Sequence, residues 1–369
     1  MAGSPEKILV RGLNWLGDAV MSTPALLRLR QARPSAQITL LSPEKLAVLW
    51  EEQPFLDRVL TFAGSESIWS VSQRLRRENF SEAVAFPNSF RSALELRLAG
   101  IPRRVGLARR GRGFLFTRPL PPRPDAAPMR RRSASEVRRR LERCAPAAAF
   151  PTGAHHIHDY LHLTSELGAS SEPLPPHIFL SDEKAAEICQ KLGLKNATAG
   201  RPWFGLNPGA EYGPAKRWPA ERFIAAAIQL QKETRCRWLI FGGPGDAVLA
   251  EKIAAGLLAA GGEPDGVVNL AGKTSLRELA AALKICRLLL TNDTGPMHLA
   301  AALGTPLIVL FGSTSPELTG PLFSPQAQIL RMPVPCAPCF RRECPIDLRC
   351  LNGIDTAQVV QAARRILCQ

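Results

Sequence analysis

The sequence predicts an α/β protein built from two doubly wound parallel-sheet domains. Three observations predict it. The chain has 369 residues, which at about 150 residues per domain points to two domains. Short apolar runs alternate with helical patterns through the first third, and the alternation restarts at Trp203. Strands separated by helices of this length imply βαβ units and a mostly parallel sheet. Hydrophobic residues are 46% and charged residues 21% of the chain, so each domain can bury a core without metal or disulfide staples.

In the first domain, residues 7–12 (KILVRG) read as a buried strand, followed by a turn and a helix at 18–30. The runs 37–41, 58–62 and 82–87 are further strands, with helical patterns at 45–52, 68–78 and 89–98. The pattern fails between Gly106 and Pro151, a stretch rich in Arg, Pro and Ala with five prolines from Pro119 to Pro128. A basic helix fits 133–144, with Ser133 as cap and Glu136 three residues later. The composition of 106–150 equally suits a solvated, partly mobile excursion. A helix at 157–167, a linker at 172–176 and a helix at 182–192 capped by Ser181 lead onward.

In the second domain the expected strands are 204–207, 237–241, 267–270, 287–292 and 306–311. Between them lie helices at 220–234 (entered through Pro219), 246–258, 276–286 (capped by Thr274 or Ser275) and 296–303. The expected boundaries are 1–175 for the first domain, carrying the basic excursion, 176–354 for the second, and 355–369 for a C-terminal helix. That helix is amphipathic, with Val359, Val360, Ala363 and Leu367 on one side. No short-period repeat is present.

The formal net charge of +15 suggests a nucleic acid or another polyanion as partner. Its distribution narrows the choice. Residues 103–143 hold fourteen arginines against Asp125, Glu136 and Glu142, a net +11, which leaves +4 for the rest. Residues 1–7 lack the basic start and apolar run of a secretory signal. The most apolar stretch, 299–312, is interrupted by Gly304, Thr305 and Pro306 and is too short to span a bilayer. Nine cysteines, five scattered singly, fit reduced thiols in a cytosol. The expected location is cytoplasmic.

In open α/β sheets ligands bind beyond the carboxyl ends of the strands, where turns expose helix N-termini. Five turns have suitable composition. In Arg11-Gly-Leu-Asn-Trp-Leu-Gly-Asp18, Gly12 and Gly17 allow a sharp turn that leaves Asp18 at or near a helix start. An N-cap and a general base both suit that aspartate. The run Asn207-Pro-Gly-Ala-Glu-Tyr-Gly-Pro-Ala-Lys-Arg-Trp-Pro219 combines turn formers with Lys216 and Arg217 ahead of a helix, which suits an anion. Lys216 would act as a point charge on a phosphate. Phe241-Gly-Gly-Pro-Gly-Asp246 lacks the dinucleotide and P-loop patterns, and Leu270-Ala-Gly-Lys-Thr-Ser275 offers a wall for a base or ribose. In Thr291-Asn-Asp-Thr-Gly-Pro-Met-His298 a strand end meets a proline-initiated helix. The backbone N–H groups of Thr294, Gly295 and Met297 would face a phosphate, and Asp293 would accept sugar hydroxyls. A well-capped buried helix is the plain alternative.

The Gly-Asp turn after the first strand, the Pro-Gly-Ala-Glu-x-Gly-x-Ala-Lys-Arg-Trp-Pro run and Asn-Asp-Thr-Gly-x-Met-His together resemble the bacterial ADP-heptose:lipopolysaccharide heptosyltransferases, glycosyltransferase family 9. The second run is most similar to the heptosyltransferase II branch. The resemblance covers both domains. It implies a GT-B architecture, two Rossmann-like domains facing across a cleft, and an inverting transfer that requires no metal or other cofactor. The implied donor is ADP-L-glycero-D-manno-heptose, bound by the second domain. The implied acceptor is the lipopolysaccharide inner-core glycolipid, with its first heptose as the accepting sugar, bound by the first domain. Carried over by position, Asp18 is the general base and Lys216 stabilises the departing ADP. Glu211, Gly243, Thr274, Asp293, Thr294, Gly295, Met297 and His298 are donor-binding, and Asn14 and Trp15 acceptor-binding. In such enzymes the C-terminal helix returns to pack on the first domain; packing on its own domain is the alternative.

The same resemblance turns the arginine segment 103–143 into a contact for an anionic membrane surface, with the enzyme peripheral at the inner membrane's cytoplasmic face. The alternative acceptors are Kdo or another core sugar. A basic nucleic-acid-binding protein is the reading from a different class, and no aromatic-basic recognition motif supports it. Cys336, Cys339, Cys344 and Cys350 form a compact cluster whose readings are a structural zinc site or a thiol loop. His155, His156, His158 and His162 lack a nearby carboxylate pattern and read as an interdomain or acceptor-facing segment.

Overall fold

The computed structural model describes residues 6–109, 111–146, 148, 150–194 and 201–368. Residues 1–5, on which most of the signal-segment reading rests, lie outside them, as do 110, 147 and 149 of the basic stretch. The chain forms two compact units, Met1–Ala126 with Thr152–Phe179 and Ala127–Pro151 with Leu180–Gln369.

The first unit holds β1 (Lys7–Arg11), β2 (Gln37–Pro43), β3 (Arg58–Phe62), β4 (Glu82–Ala85), β5 (Arg103–Leu107) and β6 (Arg118–Leu120). The second holds β7 (Trp203–Asn207), β8 (Arg237–Ile240), β9 (Val267–Asn269), β10 (Cys286–Asn292), β11 (Leu307–Phe311) and β12 (Ala327–Arg331). The sheet orders are β3-β2-β1-β4-β5-β6 and β12-β11-β10-β7-β8-β9, parallel throughout. The two orders are the same topology, that of a doubly wound Rossmann-like fold, as expected. In each sheet the order reverses at one point, between β1 and β4 and between β7 and β10. Ligand sites of such sheets lie at that reversal, beyond the strand ends.

Central strands read as continuous apolar runs because helices cover both faces. β4, β7 and β11 are buried along their whole length. The edge strands escape the pattern. β6 carries Pro119 and has two exposed residues of three, an edge position where a missing N–H is tolerated. β12 is only partly buried. The expected helix at 18–30 is two helices, Leu16–Met21 and Thr23–Ala32. Pro24 has no N–H for the Val20 carbonyl, and the Thr23 hydroxyl takes that carbonyl instead at 2.8 Å. The stretch expected as a helix at 45–52 is a 3-10 turn series, Glu44–Trp50.

Three expectations about organisation need correction. The basic stretch is not one excursion of the first domain. Its first part supplies β5 and β6, whereas the helix Ala134–Glu142 belongs to the second unit. Ser133 caps that helix by accepting from the Glu136 N–H at 3.1 Å, and Val137 is buried in the second unit's core. Arg132 and Arg140 donate to the carbonyls of Cys336 and Pro335, both at 2.8 Å, and strap the segment down. Secondly, residues up to Phe179 belong to the first unit, because the Phe179 N–H and carbonyl are both bonded to the Gln53 amide, at 3.0 and 3.1 Å. Thirdly, the C-terminal helix Thr356–Leu367 packs on its own unit. Val359, Val360, Ala363 and Ile366 join the core built around helix Ala220–Thr234, and Arg364 pairs with Glu233 at 2.6 Å. Among the described residues no helix is long and apolar enough to cross a membrane.

Candidate functional site

The residues singled out in the sequence gather at the two switch points, one group in each unit. In the first unit, β1 ends at Arg11, whose guanidinium is buried, donates to Glu95 at 2.8 Å and lies over the Phe62 ring. Burial of that pair fixes the start of the turn. Trp15, in extended conformation, precedes the helix Leu16–Met21, so Asp18 stands in the first turn and is not its N-cap. A carboxylate there is favoured by the helix dipole. Asn14 and Trp15 are exposed, with Lys45 over the indole at 5.0 Å.

Asp18 does not stand alone. The Tyr160 hydroxyl donates to Asp18 Oδ1 at 3.5 Å. Burial raises the Tyr160 phenol well above its ordinary range, and the charges of Asp18 and Asp159 add to the rise, so it stays a donor. His156, one turn earlier, is held below its ordinary value by burial, against the upward pull of Asp18 and Asp159. The histidine-rich stretch thus lies partly beside the candidate base. His155 is fully enclosed. His162 meets the Pro121 carbonyl at 3.2 Å.

In the second unit, β7 and β10 both end in asparagine. The Asn207 amide donates to the hydroxyls of Thr291 and Thr294, at 3.0 and 2.8 Å. Asn292 Nδ2 donates to the Pro208 carbonyl at 2.8 Å, while its Oδ1 accepts from the Trp218 N–H at 3.1 Å. These bonds lock the loop after β7 onto the loop after β10. Lys216 then reaches Asp293, with Nζ 2.6 Å from Oδ2. The Thr314 hydroxyl donates to the same oxygen at 2.5 Å. Burial pushes the Asp293 carboxyl up, but Lys216, Thr314 and His298 together hold it below its ordinary value. Asp293 is therefore a buried carboxylate.

Thr294 precedes the helix Gly295–Ala302 in extended conformation, and Pro296 is in the first turn. The first turn of any helix directs N–H groups outward without intrahelical partners, so this end suits the oxygens of a phosphate. Met297 and His298 are buried behind it.

The remaining donor-side candidates lie on neighbouring loops of the same sheet edge. Gly243 donates its N–H to Asp246 Oδ2 at 3.1 Å, and Asp246 Oδ1 accepts from Arg217 at 3.0 Å. Gly209 is required beside this pair, because a Cβ there would stand 2.3 Å from the Asp246 carboxyl. Gly213 has φ +145°, and a Cβ there would meet the Arg342 carbonyl at 2.6 Å. Glu211 is exposed. Thr274 is half-buried and does not cap the following helix; Ser275 does, reciprocally with Glu278. The residues missed from sequence are Asn207, Asn292, Thr314, Tyr160 and Asp246. The signal available for the first three is a polar residue closing a buried strand, Asn207 and Asn292, or standing three residues past its end, Thr314.

Cys336, Cys339, Cys344 and Cys350 line one small cavity together with Val137 and Ile346. Among the described residues no three His, Cys, Asp or Glu side chains are arranged to hold a metal ion. Three of the four belong to the apolar core. Burial raises the Cys336 and Cys339 thiols and pushes Cys350 up to about 12. Only Cys144 and Cys368 are exposed. Ellman's reagent at pH 8 should therefore modify those two rapidly in the native protein, and all nine only after unfolding. Rapid reaction of five or six thiols would show the cluster to be open.

The sequence pattern of "Glycosyltransferase family 9 (heptosyltransferase)" matches residues 129–349. The chain is 32% identical over 340 residues to lipopolysaccharide heptosyltransferase 2 of Escherichia coli, covering 88% of each chain. It is also 32% identical to lipooligosaccharide heptosyltransferase 2 of Haemophilus ducreyi, again with 88% of each covered. The solved structure of the Escherichia coli ADP-heptose lipopolysaccharide heptosyltransferase II matches with a TM-score of 0.75 at 28% identity, over 98% of this chain and 99% of that one.

Proposed function

The chain belongs to glycosyltransferase family 9, and on that premise we propose that it transfers heptose from ADP-heptose to the first heptose of the lipopolysaccharide inner core. What supports the reading most directly is the pair of half-buried Lys216 with buried Asp293, beside the N-terminus of helix Gly295–Ala302. A cation and a set of N–H donors at one switch point suit a diphosphate, and a carboxylate beside them suits sugar hydroxyls.

The reaction is a single displacement. Asp18 takes the proton of the accepting hydroxyl as its oxygen attacks the anomeric carbon. The bond to the diphosphate breaks on the opposite face, so the configuration inverts. The electron pair leaves with ADP, whose new charge is met by Lys216 and by the helix N-terminus. Those groups supply the charge stabilisation that a metal ion would otherwise give. Asn14 and Trp15, exposed beside Asp18, contact the acceptor, and Glu211, Gly243 and Thr274 contact the donor's nucleoside and sugar.

ADP release from ADP-heptose that depends on purified heptose-terminated core acceptor tests the assignment. Release only with a Kdo-terminated acceptor would move the chain to the alternative acceptor, and no release with either would overturn the reading.

We further infer a cytoplasmic enzyme that meets an anionic membrane face through exposed arginines. The fold reduces this set. Arg112 is buried among carbonyls, Arg123 is paired with Asp159, and Arg132 and Arg140 serve the strap. Arg118 of the first unit is exposed, as are Arg130, Arg131, Arg138, Arg139 and Arg143 of the second, Arg130 being paired with Glu136. Each basic residue near an anionic surface contributes about 1 kcal/mol. Arg131→Ala/Arg138→Ala/Arg139→Ala/Arg143→Ala should lower binding to phosphatidylglycerol vesicles at least tenfold and leave ADP binding intact. Unaltered vesicle binding would remove the membrane role.

A further inference from the structure

We propose that Tyr160, on helix Ile157–Ser165, is a positioning residue for Asp18, fixing its carboxylate to take the proton of the accepting hydroxyl. The inference rests on the reading of Asp18 as the base. Tyr160 comes from 142 residues further along the chain, and its hydroxyl lies 3.5 Å from Asp18 Oδ1. The ring is 6% exposed and packs against Phe86, with centroids 5.4 Å apart. Phe86 directly follows β4, so the tyrosine is seated on the same switch point as the turn that carries Asp18.

The helix that presents Tyr160 is itself fixed. Arg123 donates to Asp159 at 2.9 Å and to the Gly153 carbonyl at 2.7 Å, with both partners of the ion pair largely enclosed. His156 precedes Tyr160 by four residues, so both lie on one helical face. Both sense the charge of Asp18. Tyr160 adds a hydrogen bond to that interaction of charge. The other charged groups facing them are Asp159, Arg109 and Arg123.

A hydroxyl donating to a carboxylate favours its ionised form. It also limits rotation of the carboxylate, and a base must be held within hydrogen-bond reach of the proton it removes. Loss of the hydroxyl should lower the rate and raise the proton affinity of Asp18.

The test is Tyr160→Phe, which keeps the ring packed on Phe86. The expected result is a kcat lower by about tenfold with KM for ADP-heptose unchanged. The acid limb of kcat/KM should move upward, by up to about one pH unit. An Asp18→Asn/Tyr160→Phe double variant should be no slower than Asp18→Asn alone. A wild-type kcat and an unmoved acid limb in Tyr160→Phe, with Asp18→Asn inactive, would overturn the positioning role and leave the base assignment standing. Activity retained in Asp18→Asn would overturn the base assignment itself. A lowered Tm with an unmoved acid limb would reduce Tyr160 to a packing residue and so also overturn the proposal.

Discussion

Heptosyl transfer is expected to fall by about 10³-fold in Asp18→Asn, within the range for loss of a general base, while ADP binds as in the wild type. Asparagine keeps the volume and the helical position of Asp18 but cannot accept the proton of the incoming hydroxyl. The donor-binding candidates all belong to the second unit and Asp18 to the first, so calorimetric titration with ADP should be unaffected. Transfer within about threefold of wild type would show that the acceptor is deprotonated elsewhere.

The second large effect is expected at Lys216. Lys216→Ala should lower kcat by about 10²–10³-fold, the scale seen when one group stabilising a developing negative charge is removed. It should also destabilise the fold by about 3–5 kcal/mol, because it leaves the Asp293 carboxylate buried without its cation. The pH dependence separates the two roles. In the wild type Asp293 is held below its ordinary value. Its contribution to stability is complete above the ordinary aspartate range near 4 and is lost as pH falls through the depressed value. Without Lys216, burial acts against fewer opposing groups, and the folded-state value should rise above the unfolded one. The native state then binds the extra proton, so stability should increase on acidification from pH 7 toward 5. Thermal melts of both proteins across that range provide the measurement. A variant whose Tm stays flat across that range, as expected of the wild type, would show that Thr314 and His298 suffice to keep the carboxylate charged.

Much of this site is legible in the sequence, for a physical reason. Buried parallel strands are apolar runs, and clusters of glycine, proline and polar residues between them mark their ends. The turns at Gly12–Asp18, Asn207–Lys216 and Asp293–Gly295 are found that way. The role of Tyr160 is not, because helix Ile157–Ser165 is joined to Asp18 only by a long-range contact. Local spacing cannot report which strand end a distant helix covers. The edge strands β6 and β12 fail for another reason: they are incompletely buried and lack the apolar signature. The basic helix is a third kind of failure. Its cap and boundaries follow from Ser133 and Glu136, but its ownership depends on Arg132 and Arg140 finding the carbonyls of Cys336 and Pro335.

That strap sets a schedule for synthesis. Arg132 bonds to the carbonyl of Cys336, 204 residues later, and at roughly 5–20 residues per second the ribosome needs about 10–40 s to deliver it. The first unit can close once Phe179 has emerged, yet the segment 127–151 inside that stretch must remain undocked. For that interval Val137 and Leu141 have no core to enter, and the arginines around them have no carbonyl partners. The nascent chain therefore displays a cationic amphipathic segment long before the finished protein hides its apolar side.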